Sequence, residues 1–257
     1  MNMKIQHEDP PAAGGGAGSP RPVTSAVFLS EEPSGLNEGA SFLQKLSEPE
    51  LSALREAGTP RQVCAGAGVF HQGDAHSGIW LIERGVVRTF YVSPAGREIT
   101  LALWTAGHFV GGPEVFGGGT HIWSADAQED CELLYLTGGR IRGLAETMPR
   151  FAICLIEGLV AKGKCYSALV QMLGTRSVTE RLAHLLLIFA DTSGRPEGNR
   201  LVIERKLTHD QLANIVGATR QWVTMTLDKF QKRGLISVGR QQIVVENYDL
   251  LRAEARA

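Results

Sequence analysis

Cysteine is scarce in this chain and, where present, scattered. The four residues Cys64, Cys131, Cys154 and Cys165 form no CxxC pair, which argues against both a disulfide framework and a structural zinc site. Long apolar runs are missing too. Leu185–Ala190 falls far short of the roughly 18–20 residues that a bilayer span needs. The start carries no basic segment followed by an apolar stretch and a cleavage site, so a secretory leader is not expected. A reducing cytoplasm fits these thiols best. Residues 1–40 are poor in large apolar side chains but hold 6 Gly and 5 Pro. Such a stretch buries too little surface to offset its ordering entropy, so residues 1–37 read as a disordered tail.

What remains is globular in composition, with 43% hydrophobic and 21% charged residues. The net charge of −1 hides an asymmetry. Residues 1–174 carry 13 Lys+Arg against 18 Asp+Glu, and residues 175–257 carry 13 against 9. A basic C-terminal third fits a module facing a polyanion.

The chain divides accordingly. A helix is expected from near Glu38 to about Ala57, on Phe42, Leu43, Leu46, Leu51 and Leu54. From Arg61 to Thr137 short alternating runs follow, among them 78–83, 86–92 and 98–104, separated by glycine turns. That pattern predicts a small β-sandwich or barrel, and residues 38–148 form the first module. A long helix over 149–174 has a broad apolar stripe, with Gly158 and Gly163 each lowering its propensity by roughly 1 kcal/mol. Such a helix between two modules serves equally as a dimer seam, through Leu155, Leu159, Tyr166 and Leu169, or as a core helix. Residues 175–257 follow: a helix over 178–190, a Pro/Gly-rich loop over 191–199, a strand over 200–205, two short helices, and a hairpin of 236–238 with 242–245.

The two short helices carry the function. Thr208 and Gln211 make a capping box. Leu212, Ile215 and Val216 give an apolar face, Gly217 the turn, and Thr219 a second cap. Val223, Leu227 and Phe230 face inward. Two helices joined by a glycine turn, with a hairpin after them, make a winged helix-turn-helix. The second helix of such a motif enters the major groove. Arg220, Gln221 and Thr224 lie where base edges would be read, Arg toward guanine and Gln toward adenine. Thr208, His209, Thr219 and Lys229 are placed for phosphates. The alternative is a winged helix that contacts only protein, with Arg220 a solvated charge.

Residues 40–250 resemble regulators of the cAMP receptor protein/FNR (Crp/Fnr) superfamily. The resemblance rests on Phe70–Asp74 (FHQGD), Ile79–Gly85 (IWLIERG), Ser93–Glu98 (SPAGRE), Ala106–Gly111 (AGHFVG) and Leu207–Leu235, with Gly217–Gln221 (GATRQ) at the turn. It implies an α+β fold: an N-terminal double-stranded β-helix (the cyclic-nucleotide-binding-like β-roll), a long central dimerisation helix and a C-terminal winged helix-turn-helix. It also implies a homodimer on a palindromic operator in double-stranded DNA, with RNA polymerase a further partner and no membrane.

The family senses through the β-roll, which places Gly111, Gly112, Glu114, His121, Trp123 and Tyr166 in an effector pocket. Cyclic-nucleotide binders pair a Gly-Glu for the ribose with an Arg-Ser for the phosphate. Here the second place, Thr120–Ser124 (THIWS), has no arginine. A buried phosphate needs a compensating charge, and a neutral His121 supplies little, so cAMP is disfavoured. Tyr166 stands where the family's cAMP-bound dimer has a small hydroxyl. No iron–sulfur cluster is expected, since residues 1–63 contain no cysteine. Haem stays open through His71, His76, His108 or His121, although no pair has a diagnostic spacing. No metal site is expected and no catalytic residue is assigned. The competing readings are a regulator that binds DNA without a ligand, its pocket filled by Trp123 and Tyr166, and a cupin-like metalloenzyme, disfavoured because no His-x-His pair occurs. The cysteines read as small apolar residues.

Overall fold

The computed structural model describes residues 42–204 and 208–256. The expected tail over 1–37 lies outside the described residues, as do the start of the first helix and the end of the strand expected over 200–205. The first helix is two: α1 (Phe42–Lys45) and α2 (Glu48–Ala57). Ser47 ends one and caps the other. Its N–H donates to Glu50 Oε2 at 2.7 Å, and Pro49 is tolerated in the first turn because an N–H at that position would have no helical partner.

The β-roll follows as β1 (Thr59–Val63), β2 (Gly68–Phe70), β3 (Gly78–Arg84), β4 (Val87–Val92), β5 (Glu98–Trp104), β6 (Phe109–Val110), β7 (Ser124–Ala127) and β8 (Cys131–Thr137). They make two four-stranded antiparallel sheets, ordered β1-β8-β3-β6 and β2-β7-β4-β5. Inward-facing Ile82, Val87, Trp104, Ala125, Ala127 and Leu133 fill the space between the sheets. This period-2 burial is what the alternating sequence runs dictate.

Next come α3 (Gly138–Thr147) and α4 (Pro149–Thr175), then α5 (Val178–Ser193), opened by a Ser177–Glu180 capping box. The segment expected to be a loop after residue 190 is instead the end of α5 and a strand, β9 (Gly194–Glu197), paired with β10 (Arg200–Ile203). Its polar GRPE sequence is exposed, as suits an edge. The helix-turn-helix is α6 (His209–Val216) and α7 (Arg220–Lys232). The wing is β11 (Ile236–Val238) with β12 (Ile243–Val245), and the third sheet runs β11-β12-β10-β9. A last helix, α8 (Tyr248–Glu254), is capped by Asn247.

α4 joins the modules, and its inner side is shared between their cores. Phe151, Cys154 and Leu155 pack with α1, α2 and the first sheet. Cys165 enters the roll, and Leu169 and Met172 join the C-terminal core. Leu155 and Leu169 are therefore buried within their own protomer, while Leu159 and Tyr166 are half-buried against it. Of the four residues expected at a dimer seam, Leu155 and Leu169 thus pack inward, whereas Leu159 and Tyr166 keep part of their surface exposed. The outward line is instead Ile153, Ile156, Val160, Gly163, Ser167, Val170 and Gly174, all exposed. It is spaced 3 and 4 by turns, the heptad spacing of a helix seam.

One contact fixes α4 to the roll. A Cβ on Gly158 would sit 2.6 Å from Phe109 Cε1, inside a ring that is itself 1% exposed. Gly163 has open space around it. Gly158→Ala should therefore lose about 1–3 kcal/mol through overpacking, despite the helix propensity it gains. Gly163→Ala should not destabilise the protomer. Urea titration of both variants checks this.

Candidate DNA interface and the β-roll interior

In α6 the Thr208 hydroxyl accepts from Gln211 N at 3.1 Å, and Gln211 Oε1 accepts from Thr208 N at 2.9 Å. The turn closes at Gly217 with φ 64°, ψ 43°, the left-handed region where glycine carries no Cβ penalty. Thr219 then caps α7, accepting from Trp222 N at 3.3 Å. Val223, Leu227 and Phe230 are buried with Leu212 and Val216. This packing fixes the angle between the helices and leaves one side of α7 in solvent.

Arg220, Gln221, Thr224, Thr208, Thr219 and Lys229 are all exposed there, and His209 is half-buried. Arg220 stands 3.8 Å from Asp210. The Thr224 hydroxyl donates to Arg220 O at 3.0 Å and meets His209 Nδ1 at 2.8 Å. The hydroxyl thus links His209 to the start of α7 and still keeps an acceptor lone pair on the exposed face. Trp222 and Met225, 52% and 58% exposed, share the surface. Sequence reasoning passed over both, although subtracting the buried Val223, Thr226, Leu227 and Phe230 from the helix leaves them outside.

The turn is tied to the roll. Arg97 Nη2 donates to Gly217 O at 2.6 Å, and Asn214 Nδ2 to Glu98 Oε2 at 3.2 Å. Glu98 and Asp126 both pair with Arg88, at 3.0 and 2.5 Å. Cations at the carbonyl end of α6 are favoured by its dipole. Arg181 lies beside the same turn, its pKa lowered by burial and by Arg97. Between β5, α4 and α6 a cavity of about 20 Å³ is lined by Thr100, Cys165, Leu169 and Ile215 among others.

Within the roll, the expected pocket residues fall into two groups. Gly111 is buried beside Ile79 and Gly112 beside His76, while Glu114 is exposed. His121 stacks on Phe70 with centroids 4.0 Å apart and meets His76 edge-on at 4.5 Å. Burial lowers the pKa of both histidines; Glu114 opposes this at His76, and His76 adds to it at His121. The second group is Trp123 against Tyr166 at 5.5 Å, with Trp104 at 6.5 Å from Tyr166. Trp104 Nε1 donates to Thr89 Oγ1 at 3.1 Å. Both ring nitrogens of His76, His121 Nδ1 and Trp123 Nε1 are buried without hydrogen-bond partners, a set of polar atoms that a polar ligand would satisfy.

Sequence reasoning missed Lys162, which is buried on α4. Its amine donates to Phe109 O at 2.6 Å and lies 3.5 Å from the Trp104 ring centroid. Burial brings it down to about 7. The neighbouring His108 is brought down to about 4 by burial, with the Lys162 charge adding to the effect. Burial pushes the Cys165 thiol up to about 12, against the pull of Lys162. Such a thiol is inert as a nucleophile. Cys154 is buried and also raised, mainly by desolvation. Among the described residues no group of three or more His, Cys, Asp or Glu is placed to hold a metal ion.

Two family models match this chain: a cyclic nucleotide-binding domain over residues 60–148 and a Crp-like helix-turn-helix domain over 180–254. The chain belongs to the Crp/Fnr superfamily of transcription regulators. Its function is thus DNA-binding regulation of transcription rather than catalysis, which sets aside the cupin-like enzyme. It is 26% identical over 181 residues to the global nitrogen regulator of Synechocystis sp., covering 70% of this chain and 80% of the relative. It is 24% identical over 217 residues to the CRP-like cAMP-activated global transcriptional regulator of Mycobacterium tuberculosis, covering 84% and 97%. Among solved structures it resembles a CooA mutant from Carboxydothermus hydrogenoformans, with TM-score 0.71 and 21% identity over 84% of this chain and 96% of that one. The c-di-GMP responsive global regulator CLP of Xanthomonas campestris gives TM-score 0.71 and 20% identity over 78% and 100%. No helix among the described residues is long and apolar enough to cross a membrane.

The Lys162 environment gives a pH dependence with a definite sign. In the unfolded chain the amine titrates near 10.5, and in the fold near 7. Between these values the unfolded state binds more protons, so stability rises with pH. Lys162→Met should be more stable than the parent at pH 6, by about 1–3 kcal/mol. The difference should shrink toward pH 10. Denaturation midpoints across that range check it.

Proposed function

We propose that this regulator works in the cytoplasm as a homodimer, paired along α4 and set on a palindromic operator with one α7 in each half-site. The observation that carries the reading is the exposed N-terminal side of α7, held by two capping threonines and the Gly217 turn. Arg220 and Gln221 read bases. Thr208, Thr219 and Lys229 contact phosphates, and Thr224 and His209 hold the helix in register. RNA polymerase is the further partner at a promoter. Pairing through the heptad line Ile153–Ile156–Val160 is supported by the exposure of these large apolar side chains.

An effector in the β-roll sets the spacing of the two α7 helices, by shifting the population between arrangements of roll and α4. It is a polar molecule other than cAMP. Residues 111–124 contain no Arg or Lys, and the His76 and His121 rings are held neutral by burial. The packing of both rings against each other and Phe70 gives haem little support. The ligand-independent reading draws on the mutual packing of Trp104, Trp123 and Tyr166.

Selection from a random duplex pool, with and without cell metabolites, separates these. A palindrome enriched only with metabolites supports an effector, and equal enrichment supports the ligand-independent regulator. Arg220→Ala should cost about 1–3 kcal/mol at one base pair per half-site and relax preference there. Uniform weakening across sequences would make Arg220 a phosphate contact. Ile156→Glu should give a monomeric mass by light scattering, with the protomer fold retained by circular dichroism.

A further inference from the structure

The position of Met225 on α7 extends the regulator reading and rests on it. At 100° per residue, the buried line of α7 is Val223, Thr226, Leu227 and Phe230. The line opposite, furthest from the protein, is Gln221, Met225, Asp228 and Lys232. Asp228 and Lys232 pair with each other at 2.6 Å, and Arg220 lies at the edge of the face, near Asp210. The Thr224 hydroxyl is engaged by Arg220 O and His209. Two side chains are therefore both central and uncommitted, a carboxamide and, one turn on, an unbranched thioether that is 58% exposed.

A methionine there has no hydrogen bond to offer a base. The apolar feature that base edges present in the major groove is the 5-methyl of thymine. Gln221 matches adenine through its paired donor and acceptor. Four residues of helix advance about 6 Å and a base pair about 3.4 Å, so the two side chains meet base pairs no more than about two steps apart. We propose that Met225 reads the 5-methyl group of a thymine close to an adenine read by Gln221, making the centre of each half-site A·T-rich. Trp222, on the flank beside Lys229, faces the sugar–phosphate wall instead.

The test uses the full chain and the duplex enriched from the random pool. Each thymine is replaced in turn by deoxyuridine, which removes only the methyl group, and affinity is read by fluorescence anisotropy. One thymine per half-site should matter, weakening binding about fourfold per half-site, the worth of one buried carbon. Met225→Ala should bind the thymine and uracil duplexes equally, and Met225→Leu should keep the discrimination. An enriched duplex in which no uracil replacement weakens the parent overturns the proposal, as does a uracil effect that persists unchanged in Met225→Ala. Failure to enrich any duplex, with or without metabolites, overturns the operator reading and the proposal with it.

Discussion

The fold depends on one long helix with a broad apolar stripe, interrupted along one line by Arg150, Glu157, Lys164 and Gln171. α4 has 27 residues, and no single module is large enough to cover it. Its first half is buried by α1, α2 and the first sheet, its middle by the roll, and its last turns by the C-terminal core. The remaining line of isoleucine, valine, glycine and serine stays exposed. The Gly158–Phe109 contact and the buried Lys162 amine lock the register of this arrangement. Both act at β6, where the segment carrying Gly111 to Trp123 begins.

The polar chemistry is divided by location. Inside the roll, burial holds histidines neutral and leaves ring nitrogens unpaired. On α7 the polar side chains either support one another or face outward. A sensor benefits from unsatisfied polar atoms that a ligand completes, whereas a reader benefits from side chains already fixed before DNA arrives. The two modules differ in this way within one chain, with unpaired polar atoms inside the roll and bonded ones at the start of α7.

Much of this was legible in the sequence, for local reasons. Glycine-punctuated alternation gave the strands from 78 to 104, and a capping box followed by glycine gave the helix-turn-helix. These signals act over a few residues. The facing of α4 was not legible, because its apolar stripe is broad, and the inner leucines look as suitable for a seam as the outer isoleucines and valines. The break at Ser47 was overlooked although its capping box is local. Strand β9 is polar and becomes a strand only through its partner β10. The burial of Lys162 depends on Trp104 and Phe109, some fifty residues earlier, and a lone lysine on a helix reads as solvated.

The Arg97–Gly217 bond makes the roll and the DNA-binding module meet twice, once along α4 and once through the β4–β5 hairpin. Two bodies joined by two struts form a linkage with few free modes. Neither strut alone determines the angle of α7. A change in how the roll sits on α4 would therefore reach α6 and α7 by two routes at once, one of them through the carbonyl of the turn glycine.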